Sequence, residues 1–317
     1  VRFCLMIEGQ EGITWEQWLA IARACERLGV EALFTSDHYL SVMGARGRGS
    51  NDAWVLLSAL AARTERLRLG TLVSPVTFRL PAVLAKAATT VDAISGGRVE
   101  IGLGAGWWEE EHRTHGFPFP PSAERLEMLE EQLEVVHGLL TQETFSFRGR
   151  HYALKRCELL PKAVQRPHPP IIVGGAGGPR IARLAARWAD EFNTVGGTPA
   201  EVAERFSRVR DAVDRAGRDP SAFTTSFMTW VYVGDDDRGY RERVERARAM
   251  DPRAGTIDEF LADIERDCIV GTPERAAARL SEYAAAGVQR VMLNHSLFDD
   301  LDTIELLAER VFPLVEG

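Results

Sequence analysis

Short apolar runs recur along the chain, separated by longer segments in which apolar positions return every three or four residues. The first pattern fits buried strands and the second fits amphipathic helices. Strands are predicted at Arg2–Ile7, Val30–Thr35, Leu67–Val73, Val99–Leu103, Pro170–Val173, Glu191–Thr194, Phe223–Val233 and Arg290–Leu293. Between them lie helices with ordinary punctuation. Trp15–Leu28 stops at Gly29, Pro81–Ile94 carries proline in its first turn, and Ala123–Leu140 follows the breaker Phe117-Pro118-Phe119-Pro120-Pro121. Eight strands alternating with helices predict a parallel α/β architecture closed into a (β/α)8, or TIM, barrel. Two stretches exceed that plan, as insertions after strands 4 and 7. Thr144–Leu160 reads as a short hairpin, and Asp235–Cys268 is charged, helical and long enough to form a lid or substrate wall. Neither a linker nor an internal repeat interrupts the pattern, so one domain over residues 1–317 is expected, with a split near residue 160 as the alternative.

Composition narrows the class of partner. The chain has 317 residues, 45% of them hydrophobic, enough for a full core. A net charge of −8 opposes general affinity for nucleic acid or an anionic membrane, so a small molecule is the expected partner. No apolar stretch reaches membrane-span length and the first residues show no signal pattern, which points to the cytoplasm. Cys4, Cys25, Cys157 and Cys268 are scattered without a CxxC pair and read as reduced packing residues.

In such a barrel the working residues follow the strands at their C-terminal ends. Ser36-Asp37-His38, Ser74–Arg79, Gly104–Trp108 and Gly174–Gly178 therefore converge on one mouth. The loops Gly104-Ala105-Gly106-Trp107 and Gly175-Ala176-Gly177-Gly178 bring backbone N–H groups close to a ligand, and the second opens into a helix at Pro179, whose dipole favours an anion. Each loop alone also fits an ordinary strand-ending turn. A dinucleotide-binding fingerprint at Gly102, Gly104 and Gly106 fails, because Trp107 and Trp108 follow and Glu124 lies in a helix. Asp37 and His38 are the catalytic candidates, histidine because it titrates near neutral pH; the competing interpretation is an aspartate that caps the turn with a histidine packed beside it. Glu109-Glu110-Glu111-His112 with His115 lacks the H-E-x-x-H spacing and reads as a solvated loop or helix start, so no metal site is assigned. Glu8 is either a pocket carboxylate or an exposed one, and His295 beside Asn294 is a further candidate for the mouth.

These motifs, together with LGTLVSPVTFR, SGGRVEIGLGAGWWEEEH, IIVGGAGGPR and ARWADEFN, resemble the bacterial luciferase-like monooxygenase superfamily, and within it the coenzyme F420-dependent oxidoreductases. The resemblance implies hydride transfer between F420 and an organic substrate. It places His38 against the coenzyme ring as a proton handler, Asp37 on the ring system, and Leu72, Val73 and Ser74 behind the ring, with a cis peptide between Leu72 and Val73. It also gives the two glycine loops to the phosphate, and makes a homodimer usual, for which Ala82, Ala85, Ala88, Thr89 and Ala93 offer a small-residue face if that face is not spent on the barrel. The glutamate and tryptophan of the sugar-phosphate dehydrogenases in this branch are replaced by Trp107 and Val42, so an apolar or aromatic substrate fits better. The alternatives are a monooxygenase using reduced FMN and oxygen, and a non-catalytic flavin- or deazaflavin-binding protein.

Overall fold

The computed structural model describes residues 1–316. Eight parallel strands form the barrel: β1 (Arg2–Ile7), β2 (Ala32–Thr35), β3 (Arg68–Thr71), β4 (Val99–Gly104), β5 (Ile171–Gly174), β6 (Glu191–Val195), β7 (Thr224–Val233) and β8 (Arg290–Asn294). Closure is explicit in the register, since Asn294 of β8 pairs with Met6 of β1 on one side and Trp230 of β7 on the other. Side chains alternate between the two faces of each strand. Cys4, Met6, Ala32, Phe34, Ile172, Met228 and Met292 fill the interior, while Phe3, Leu5, Ile7, Leu33, Val291 and Leu293 pack outward under the helices. At the N-terminal end the buried Arg290 guanidinium lies 2.6 Å from Glu100 and 2.9 Å from Glu191, which closes the bottom with a paired charge.

The predicted elements recur with small shifts. The second strand starts at Ala32, two residues late, because the Val30 N–H still donates to the Cys25 carbonyl and completes the turn after helix Trp15–Leu28. The third ends at Thr71. The Leu72–Val73 peptide is cis, as expected, and the chain pairs again over Ser74–Pro75 against Leu103 and Gly104. Val73 fits there because the neighbouring strand ends lack side chains: a Cβ on Gly104 or Gly174 would come within 2.6 or 2.9 Å of its methyl groups.

Both insertions are present. Phe145–Arg148 and Ala153–Cys157 form an antiparallel hairpin off the barrel. Beyond β7, helices Asp237–Met250 and Ile257–Asp267 lead to a short strand, Ile269–Gly271, that extends β7. Two short helices follow strands near the mouth: Ala53–Ala61, capped by Asp52, and Glu109–His115. The small-residue face of helix Pro81–Ser95 needs correction. Ala85, Ala88 and Thr89 are buried, so they are spent on the protein's own packing, while Ala82 is partly exposed and Ala93 exposed. The large apolar side chains that helix exposes are Val83 and Ile94, with Leu80 just before it and Val55, Leu160 and Val164 exposed on adjoining segments. Among the described residues no helix is long and apolar enough to cross a membrane.

Candidate active site at the barrel mouth

The chain after β2 is fixed before it reaches His38. Ser36 Oγ donates to Gln10 Oε1 at 2.5 Å and accepts from the Gly9 N–H at 3.0 Å, tying this loop to the end of β1. His38 then meets Glu111. Its Nδ1 lies 2.8 Å from Glu111 Oε2, and Glu111 Oε1 accepts from the N–H groups of Tyr39 (2.5 Å) and Leu40 (3.1 Å). The Glu111 side chain is fully buried, and that of His38 is 15% exposed. Burial opposes the imidazolium, but the hydrogen bond and charge of Glu111, aided by Glu8 and Asp37, outweigh it and hold the His38 pKa above the ordinary value. For Glu111, burial is outweighed by His38 and the two backbone donors, and its pKa is lowered. With Nδ1 committed to Glu111, the other ring nitrogen is left for chemistry.

Glu111 corrects the sequence interpretation of Glu109-Glu110-Glu111-His112 as solvated. The segment is a helix start, yet its third and fourth residues turn inward. His112 braces the β4 loop: Nδ1 donates to the Trp108 carbonyl at 2.7 Å, which leaves Nε2 to accept from the Thr77 hydroxyl at 2.6 Å. Burial lowers its pKa and favours this neutral form.

Asp37 and Ser74 lie beneath the mouth surface, at 2% and 1% exposure. Asp37 Oδ2 accepts from Ser74 Oγ (2.6 Å) and Arg79 Nη1 (2.5 Å), and Arg79 Nη2 continues to Asp52 Oδ2 (2.6 Å). Trp54 Nε1 donates to Ser74 Oγ at 3.0 Å. Burial raises the Asp37 pKa against the pull of Arg79 and Ser74. At Asp52 burial is outweighed by Arg79 and the helix N–H groups, and the pKa is lowered. Two motifs far apart in sequence, Ser36–His38 and Leu69–Arg79, are thus one hydrogen-bonded unit, with Leu72 inside the barrel and Val73 at its upper end.

The glycine loops flank this unit. Gly106 has φ of 74° and Gly177 of 69°, left-handed values that favour glycine. Gly175 donates its N–H to the Asn193 carbonyl, so it is withdrawn as a phosphate donor, and Ala176, Gly177 and Gly178 remain. Gly178 stands at the N-cap of helix Pro179–Trp188 with no capping side chain and open space where a Cβ would be. An uncapped helix start fits a phosphate. Beside Gly104, Ala105 and Gly106, Trp107 stacks on Trp108 with centroids 5.8 Å apart, is 61% exposed, and stands edge-on to His38 at 5.9 Å. Val73, partly exposed, and Val195, 47% exposed, add apolar surface at the strand ends, which suits a tricyclic ring.

Of the remaining candidates, Glu8 accepts from Gln10 Nε2 at 2.7 Å and from Asn294 Nδ2 at 3.3 Å. It is a partly buried carboxylate, not a free surface one. His295 does not line the mouth: it follows Val291 and Leu293 in the outward-facing series of β8, and there desolvation pushes its pKa down to about 4.

The model of the luciferase-like monooxygenase family matches residues 4–290. The FMNH2-dependent dimethylsulfone monooxygenase of Pseudomonas putida is 27% identical over 320 residues, covering 93% of this chain and 86% of that protein. Among solved structures, the monooxygenase RslO1 from Streptomyces bottropensis is similar with a TM-score of 0.85 at 26% identity, covering 99% of each chain. An F420-dependent secondary alcohol dehydrogenase in complex with an F420–acetone adduct also gives 0.85, at 22% identity, covering 100% of this chain and 99% of that one.

Proposed function

The chain belongs to the luciferase-like monooxygenase family, and from that premise we propose that it is an oxidoreductase that binds coenzyme F420 at the barrel mouth and works with it on an organic substrate. The observation that carries this is His38, anchored through Nδ1 by a fully buried Glu111 and flanked by Trp107 and Trp108. When bound, the deazaflavin supplies hydride chemistry. The chain's own residues bind, orient and handle a proton. Ala176, Gly177, Gly178 and the helix start at Pro179 would hold the phosphate, and Gly104, Ala105, Gly106 and Trp107 would border it. Leu72 and Val73 would back the ring. Glu111 fixes the tautomer and charge of His38, whose Nε2 gives or takes the proton at the reacting atom. Asp37 and Ser74 enter this account as positioning residues that hold the His38 loop, Asp37 by accepting from both Ser74 and Arg79, since both are sealed from the surface.

F420 is preferred because both motifs that resemble the deazaflavin branch, Ser36–His38 and Leu69–Arg79, are bonded into one unit through Asp37, Ser74 and Arg79. The 27% identity to an FMNH2-dependent monooxygenase favours the second reading, reduced FMN with oxygen. Turnover separates them. Anaerobic change of the F420 absorbance band with a secondary alcohol or an apolar ketone supports the first, and oxygen uptake that depends on reduced FMN supports the second. The proposal includes a cytoplasmic homodimer formed through the exposed strip of Val55, Leu80, Val83, Ile94, Leu160 and Val164.

A further inference from the structure

Strand parity identifies what lines the top of the barrel. On β8, Arg290 and Met292 point inward, and on β1, Cys4 and Met6 do. Two residues further on stand Asn294, the last residue of β8, and Glu8, the first residue beyond β1, which therefore continue the inner layer toward the mouth. They touch, through Asn294 Nδ2 and Glu8 Oε1 at 3.3 Å. Asn294 is fully buried, and its Oδ1 has no hydrogen-bond donor among the described residues. A buried carbonyl oxygen without a donor is uncommon and asks for a partner. Among the described residues Glu8 accepts only from Gln10 and Asn294, so its carboxylate keeps spare acceptor capacity. Its charge reaches His38. Beside His38 the Trp107–Trp108 stack offers an apolar, aromatic surface. Asn294 Oδ1 and Glu8 thus offer open acceptor positions in the inner layer, and the tryptophan pair offers an aromatic surface.

Resting on the oxidoreductase reading above, we infer that the substrate is an apolar, ring-bearing molecule with a hydroxyl or amine donor. The donor is received by Asn294 Oδ1 and Glu8, and the ring lies against Trp107. Asn294 and Glu8 are then specificity-determining residues, separate from the groups that hold the coenzyme.

The test uses matched probes on the coenzyme-loaded full chain: 2-naphthol against 2-methoxynaphthalene, with affinity read by calorimetry and the coenzyme titrated separately. A donor received by a carboxylate and an orphan carbonyl predicts roughly 10-fold to 100-fold tighter binding of the naphthol. Asn294→Leu removes most of that preference and Glu8→Gln weakens it, both with coenzyme affinity retained. Equal binding of the two probes by the wild type, or no binding of either, overturns the inference. So does a loss of coenzyme affinity in Asn294→Leu and Glu8→Gln that matches their loss of naphthol, which assigns the pair to the coenzyme. If the wild type binds neither F420 nor FMN, the two probes are titrated against the cofactor-free full chain, where a naphthol preference upholds the donor-receiving pair while the oxidoreductase reading falls.

Discussion

His38 and Glu111 stand 73 residues apart in sequence and 2.8 Å apart in space, one in the loop after β2 and the other in the helix after β4. Glu111 also receives two N–H groups of the same β2 loop, so it fixes both the imidazole and the backbone that carries it. His38→Ala is predicted to lower turnover by roughly 100-fold to 10,000-fold, the ordinary range for a general acid or base, with a much smaller change in coenzyme affinity. Single-turnover kinetics beside a binding titration checks this. Normal turnover would make His38 a packing residue.

Glu111→Gln is predicted to act through pH. Because Glu111 raises the pKa of His38, its loss moves the alkaline limb of any step that needs the imidazolium to lower pH. The stability linkage has the same origin. A raised histidine stabilises fully below its unfolded value and loses that contribution as pH rises through its folded value; a depressed carboxylate contributes above its unfolded value and loses that as pH falls. The stability gap between wild type and Glu111→Gln should therefore be widest between about pH 4.5 and 6.5, the unfolded values of the two groups. Denaturant unfolding across pH measures it, and a gap independent of pH contradicts the charged pair.

Arg79→Leu leaves the buried Asp37 carboxylate without its cation. Removing one partner of a buried pair costs about 3 to 5 kcal/mol. Arg79→Lys should recover only part of this, because one ammonium cannot span Asp37 and Asp52 as the guanidinium fork does. Thermal unfolding of the three proteins decides the point.

The glycine loops separate binding from folding. Gly178→Val introduces a side chain into open space at an ordinary φ of −63° and is predicted to weaken coenzyme binding while leaving stability nearly unchanged. Gly106→Val and Gly177→Val place a branched residue at left-handed φ and should lower stability as well. A Gly178→Val protein with full coenzyme affinity would remove this loop from the phosphate site.

Strand periodicity made the barrel legible, because most barrel strands carry a short apolar run, and the polar EFNTV of β6 was placed by its spacing between helices. The glycine loops and the Ser36–His38 motif were legible by position, because each singly fits an ordinary turn but all of them follow strands that end at the same barrel mouth. Glu111 was not. A run of three glutamates reads as solvent-facing, and only packing against the β2 loop buries the third. No local spacing signal marks it, since its helical neighbour His115 is exposed and the residue buried with it is the adjacent His112. Asp37 was found, but its burial under Arg79 depends on a tertiary ion pair that sequence order does not encode.

Val83→Arg tests the proposed dimer. The substitution places a charge within the exposed apolar strip and touches nothing in the mouth. Light scattering should report a dimer for the wild type and a monomer for the variant, each at micromolar concentration. A monomeric wild type ends the proposal.

The most direct measurement of the central claim is a parallel titration of the cofactor-free protein with F420 and with FMN, followed by absorbance and fluorescence. The account predicts saturable F420 binding, tighter than FMN and weakened by Gly178→Val. Equal or tighter FMN binding, with oxygen consumed when the flavin is reduced, would contradict it and make the chain a flavin monooxygenase.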